Sequence, residues 1–339
     1  MRNLSMDALC EKIGNAVSKQ AISKYEKGES LPGSQILILL SQALDVKPDY
    51  FFRESQFAIS NIEFRKKAKM GVKEVEAIKE EIRDIIERYL EIEDVWGCVP
   101  SFANPVKEIL VASEDDVYEV VKKLKDAWNI GEDGILSVTD LLESKNIKVV
   151  EIKADSSFDG LSGYVNNDEN MPFVVVNKSF DVERLRFTGL HELGHLVMNL
   201  PEEMEKKDKE RFCNLFANEM LISRDTFVDV LGERRSDISL QELKVLQAVY
   251  GISVDALMFK AKTVGVISES KHTSFCIRKN KSLAFKDAVE RSSYRGVEES
   301  SRFDRLVYRA LASDMISCSK AAVLLNEPME EVKNKLELV

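Results

Sequence analysis

Residues 186–198 read Arg-Phe-Thr-Gly-Leu-His-Glu-Leu-Gly-His-Leu-Val-Met, and the five at their centre, His191-Glu192-Leu193-Gly194-His195, decide how the chain is read. At 3.6 residues per turn, two histidines four positions apart lie about 40° apart around a helix and roughly 6 Å apart along it, so both imidazoles reach one ion. Neutral imidazoles suit zinc, which takes about four ligands and in catalytic sites keeps one position for water. Glu192 falls beside the pair, where a carboxylate can accept a proton from that water and pass it to the leaving amine of a peptide. The chain holds 3 histidines and two fall in this window. The third, His272, sits in a polar stretch and is expected at the surface.

A third protein ligand must come from elsewhere. Gly at the third position after His195 and His or Asp at the sixth would mark a metzincin, but Met198 and Pro201 stand there. Pro201 and the charged residues after it predict a helix end near Leu200. A second helix, expected over residues 207–222, puts Glu210, Asn214 and Ala217 on one face at i, i+4 and i+7. Glu210 can then complete the site, with Asn214 as the hydrogen-bond partner that orients a ligating imidazole. Glu219, on the same helix, is the main competitor; Glu202, Glu203, Glu205 and Asp208 are weaker ones.

Upstream, the pattern predicts helices at 115–128 and 137–144, then short strands at 147–152, 158–165 and 173–176, a sheet of three in an α+β arrangement. An extended peptide could add to one edge of it.

Several stretches together resemble the ImmA/IrrE family of metallopeptidases: Arg186-Phe187-Thr188, the His-Glu-x-x-His window, Glu210, Cys213-Asn214-Leu215-Phe216-Ala217, and Asp159-Gly160-Leu161-Ser162-Gly163. The likeness runs over about residues 117–267. It departs at Gly189-Leu190, where a larger residue and Ala are usual, and at Ser223, where Pro is common. The resemblance implies a gluzincin-like domain with His191, His195 and Glu210 on Zn2+ and Glu192 as the catalytic carboxylate. It also implies an endopeptidase that acts as a regulator, cleaving a helix-turn-helix repressor or another regulatory protein in a stress or mobile-element response.

In the first 55 residues, Ser5 can cap a helix over 6–13 and Ser18 a second that ends before Gly28. A third is expected over 34–44, with Leu37, Leu40 and Leu44 as one stripe, and Pro48 opens a last turn. This all-helical unit resembles the Xre helix-turn-helix repressors, above all at Ser23-Lys24-Tyr25-Glu26-Lys27-Gly28 and Pro32, although its turn is a residue longer. That resemblance implies DNA as a partner, with Ser18, Lys19, Gln20, Ser23 and Lys24 as the contacts. Lys and Arg balance Asp and Glu in this stretch, so affinity for phosphate must come from local placement. The alternative is a small bundle that docks on the rest of the chain or makes a homodimer.

Between 65 and 93, Val75, Ile78, Ile82, Ile85, Ile86 and Leu90 recur at helical spacing, which predicts an amphipathic connecting helix. Its basic start, residues 65–69, reads as a solvated face. Beyond Ile267 two helical patterns, 302–312 and 319–325, suggest a packing or sensing extension. The expected domains are therefore 1–55, 56–100, 101–270 and 271–339.

A chain of 339 residues exceeds what one core usually organises, roughly 250 to 300 residues. With 44% hydrophobic and 31% charged residues it reads as globular rather than disordered. No apolar run approaches the roughly 18 residues of a membrane span, and the N-terminus lacks a secretory h-region. The 5 cysteines are scattered without paired spacings, as expected of reduced thiols in a cytoplasmic protein with no membrane partner. A net charge of −10 argues against wholesale coating of nucleic acid. A regulator class therefore stands beside the enzyme class: a DNA-binding transcription regulator or antitoxin whose zinc domain binds without turnover.

Overall fold

The structure, a computed structural model, describes residues 4–44, 46, 48, 51, 59–60, 71–97, 101–165, 168 and 170–336. Helices α1 (Met6–Lys12), α2 (Lys19–Glu26) and α3 (Ser34–Leu44) form the N-terminal unit. Ser5 and Ser18 cap the first two by accepting from the Ala8 and Ala21 amides, which satisfies donors that a helix start otherwise leaves unpaired. The turn between them closes through consecutive left-handed residues, Gly14 and Asn15, a conformation that these two residue types tolerate best. Leu9, Cys10, Ile13, Ile22, Leu40 and Ala43 make a core of its own. The boundary at residue 55, the basic run 65–69 and most of the turn expected after Pro48 lie outside the described residues.

Strand β1 (Ile59–Ser60) and helix α4 (Val72–Val95) follow, then α5 (Glu114–Trp128), α6 (Val138–Ser144), β2 (Lys148–Ile152), β3 (Gly160–Val165) and β4 (Pro172–Asn177). Next come α7 (Val182–Val197), α8 (Lys206–Leu221), α9 (Arg224–Leu231), α10 (Leu240–Tyr250), α11 (Val254–Thr263), α12 (Glu269–Lys281) and α13 (Leu283–Glu290). The chain closes with α14 (Arg302–Ala312), α15 (Cys318–Leu324) and α16 (Met329–Lys335).

The sheet has the order β1-β3-β4-β2, with β2 parallel to β4 and the other two pairings antiparallel. Three strands were expected. The fourth, β1, is two residues long and so carries no period to read. Period-two alternation assigns the faces. Val150, Ile152, Leu161, Val165, Phe173 and Val175 meet Ile78, Ile82, Ile86 and Leu90 of α4. Val149, Val174 and Val176 join the main core with Leu190 and Leu193 of α7. Ser162 and Tyr164 of β3 therefore face α7. Gly160 permits the close approach, because a Cβ there would stand 2.6 Å from both the Thr188 methyl and the Val175 carbonyl oxygen.

Helix α7 stops at Val197, earlier than the sequence predicts. Met198 is extended, Asn199 bridges Leu110, and the Val111 amide donates to the Asn199 carbonyl at 2.9 Å, so the strand-like contact removes the last turn. Phe275 of α12 and Val289 of α13 belong to the main core. Helices α14 to α16 instead close a separate cluster over Ile92 of α4.

Residues 291–301 cross between these two bodies without helix or strand, as a strap held by buried carboxylates. Glu298 accepts from the Val138 and Thr139 amides at 3.0 and 2.9 Å and pairs with Arg186 of α7. The Ser300 hydroxyl donates to Glu143 at 2.6 Å. Arg302, at the strap's end, reaches Glu93 and the Tyr89 hydroxyl at 2.9 and 2.8 Å. Glu93 also receives Lys148 at 3.0 Å, which ties connecting helix, sheet and C-terminal helices at one buried point. Burial pushes the Glu143 carboxyl up and the Lys148 ammonium down from their ordinary values, the direction desolvation gives to any charge.

Candidate metal centre

Helix α7 presents His191, Glu192 and His195 to one side of the site, and α8 presents Glu210, Cys213 and Asn214 to the other. The helices can meet closely because Gly194 faces Phe216; a Cβ there would come within 3.2 Å of the ring. His191 and Glu192 are buried, while His195 and Glu210 remain partly open.

The two imidazole Nε2 atoms lie 3.3 Å apart. Zinc–nitrogen bonds of roughly 2.0–2.1 Å at a tetrahedral angle set two nitrogens about 3.3 Å apart, so the pair fits that ion. Glu210 brings one carboxylate oxygen to 3.7 Å from His191 Nε2 and the other to 3.8 Å from His195 Nε2. Asn214 Oδ1 stands 2.8 Å from His191 Nδ1, which leaves Nε2 as the ring's donor to the site. Ser162 Oγ donates to Glu192 Oε2 at 2.9 Å, so a strand residue holds the carboxylate beside the two histidines.

Cys213, which the sequence gives as a reduced thiol and as part of the family likeness but not as a ligand, brings its Sγ into the group. His191, His195 and Cys213 each offer a ligand atom within 4.8 Å of the others. Cys213 is fully buried in the main apolar core, whereas Glu210 stands at the open side of the group. Both His-His-Glu and His-His-Cys are donor sets of a kind that zinc accepts. The spacing of Cys213, three residues after Glu210, was the signal for it. Ser162 belongs to the family-like stretch Asp159-Gly160-Leu161-Ser162-Gly163, but no helical or strand period links it to Glu192.

Glu219, the main rival, is buried away from the histidines in a pair with Lys260 at 2.7 Å, and it also accepts from the Arg224 amide. Glu202, Glu203 and Glu205 are exposed, and Asp208 pairs with Arg211 at 3.4 Å. His272 is not at the open surface as expected. It is half-buried edge-on against Phe259, ring centroids 6.1 Å apart, and burial depresses its pKa. Beside His195 opens a cavity of about 480 Å³ lined by Asn104, Lys107, Tyr164, Asn170 and Asn199.

In the N-terminal unit, Ser18 is the cap of α2, and Lys19, Gln20 and Lys24 are exposed, with Ser23 half-buried and Ile22 turned to the core. Lys19 is engaged by Asp7 at 2.7 Å. These residues share one short helix and its cap.

Residues 142–262 match the IrrE N-terminal-like domain of the M78 peptidases. The chain carries an IrrE-like domain. Its match ends within α11 and includes every residue of the histidine–glutamate cluster, Asn214 and Ser162. Residues 1–51 match the helix-turn-helix family, so the IrrE-like domain is joined to a regulator's DNA-binding type of unit. The chain is also 45% identical over 53 residues to the "Uncharacterized HTH-type transcriptional regulator y4aM" of Sinorhizobium fredii (strain NBRC 101917 / NGR234). That stretch is 16% of this chain and 36% of the relative, so the match spans about a third of the relative's length. Among the described residues no helix is long and apolar enough to cross a membrane.

Proposed function

We propose that the chain is a zinc-dependent endopeptidase within a cytoplasmic regulator, with His191, His195 and Glu210 as the metal ligands and Glu192 as general base. The observation that carries this reading is the convergence of two Nε2 atoms 3.3 Å apart, the Glu210 oxygens and a buried carboxylate fixed by Ser162. When bound, the ion would polarise the scissile carbonyl and acidify the attacking water. Glu192 accepts the proton released in that attack and delivers it to the leaving nitrogen. Ser162 keeps one carboxylate oxygen occupied, so the group's orientation is set before substrate arrives. The edge of β3, next to Glu192, offers main-chain groups to an extended peptide.

The IrrE-like match supports a peptidase, and the attached helix-turn-helix unit supports a regulatory protein as substrate, a helix-turn-helix repressor first among them. The deciding experiment combines metal analysis with incubation of the zinc-loaded protein and the proteins encoded beside its gene. Glu192→Gln should retain zinc and lose cleavage by about two to four orders of magnitude. Equal cleavage by that variant would sink the assignment.

A second reading, DNA-binding regulation without turnover, is favoured by the helix-turn-helix match and the regulator relative. It expects a gel shift with operator-like DNA that weakens steeply with salt, together with intact neighbouring proteins after incubation with zinc. No shift at low salt would remove it.

A further inference from the structure

We propose that the chain's own segment Ile59–Ser60 occupies the peptide-binding edge of β3 and acts as an internal competitor of substrate. This inference rests on the peptidase reading above, since it concerns access to the same site.

Main-chain hydrogen bonds show which residues of β3 serve which neighbour. The Val165 amide donates to the Met171 carbonyl at 3.1 Å, and the Asp159 carbonyl accepts from the Asn177 amide at 3.1 Å. Odd-numbered residues therefore turn their polar backbone towards β4, and Gly160, Ser162 and Tyr164 turn theirs to the opposite edge. On that edge β1 pairs antiparallel, Ser60 opposite Tyr164 and Ile59 opposite Val165. Among the described residues no other strand lies on that side of β3.

The place matters because Tyr164 lines the cavity beside His195, and Ser162, one step along the same edge, holds Glu192. An extended substrate that runs past Glu192 along β3 would need the N–H and C=O of Tyr164. A sheet edge satisfies one strand at a time, so β1 and such a substrate exclude each other. The tethered strand also has the advantage of concentration. A segment of the same chain is commonly present at an effective millimolar level, enough to outcompete a free peptide at micromolar concentration with similar affinity.

The test uses the full chain carrying Glu192→Gln, so that no turnover intervenes. Ser60→Pro removes the main-chain N–H opposite Tyr164, and Ser60→Gly is the control that retains it. Amide exchange at Tyr164 should be at least about tenfold faster in the proline variant, and an excess of a synthetic peptide with the sequence of residues 55–65 should restore protection. Equal exchange in both variants overturns the proposal. So does failure of the peptide to restore protection, because an edge that rejects a free strand is no substrate edge. Protection that falls on dilution overturns it in favour of a strand from a second copy. Absence of any cleavage by the unmodified protein would end the peptidase reading and leave this exchange result standing.

Discussion

Asn214 Oδ1 sits 2.8 Å from His191 Nδ1, and this contact between two helices decides which nitrogen of the ring faces the site. With Nδ1 donating to the amide oxygen, the Nε2 lone pair is left for a metal. Asn214→Ala should lower zinc affinity roughly 10- to 100-fold, as losses of such supporting bonds do. Asn214→Asp, which keeps the acceptor, should retain most of it. Competition with a chromophoric chelator measures both, and an unchanged affinity in the alanine variant would refute the orienting role.

Glu210 and Cys213 make opposite predictions about the third ligand. Glu210→Gln should reduce bound zinc to well under one equivalent after dialysis, while Cys213→Ser should retain about one, because the thiol is packed within the apolar core. Metal content by atomic emission separates the two. Full zinc in Glu210→Gln together with its loss in Cys213→Ser would exchange their roles.

Arg186 and Glu298 form a pair with side chains 0% and 2% exposed. Glu298→Ala leaves the guanidinium buried beside the carbonyls of Ile135 and Tyr250 and removes acceptors from two amides of α6. A cost of about 3–5 kcal/mol is expected for breaking a buried pair on one side. Urea denaturation should show it as a fall in midpoint with little change in slope. A cost under about 1 kcal/mol would mean that the carbonyls alone suffice.

The Glu143 carboxyl is raised by burial, with hydrogen bonds from Ser300 and Arg302 opposing in part. A carboxyl raised in the folded state binds its proton more tightly there than in the unfolded chain. Its favourable contribution is therefore complete below the unfolded value, near 4.5, and disappears as pH rises through the folded one. Glu143→Gln lacks this titration, so its melting temperature relative to the unmodified protein should increase between about pH 4.5 and 8. A difference that stays flat, or shrinks, would contradict the assignment.

Much of the candidate site's geometry could be read before any fold was known, because a helix fixes its geometry from spacing alone. His191, Glu192 and His195 follow from one helix, and Glu210 with Asn214 from a second, each at i, i+4 separations. What spacing does not encode is contact between elements. Ser162 reaches Glu192 only through the register of β3 on α7, and Cys213 enters because α8 turns that face towards the histidines. The strap was illegible for the same reason: residues 291–301 have no period, and their meaning lies in Glu143 and Arg186, far back in the chain. On α2 a helix with an exposed face was legible, while the pairing of Lys19 with Asp7 was not.

The strap also sets an order in time. Arg186 stands five residues before His191, and its partner Glu298 follows 112 positions later. During synthesis, the helix that carries the histidines leaves the ribosome long before its anchor does. Until the strap emerges, the Arg186 charge must stay hydrated, and α7 lacks the bond that seats its first half. A nascent chain would then lack the anchor at the start of α7, so the helix that bears His191 and His195 is fully seated only once residue 298 has emerged.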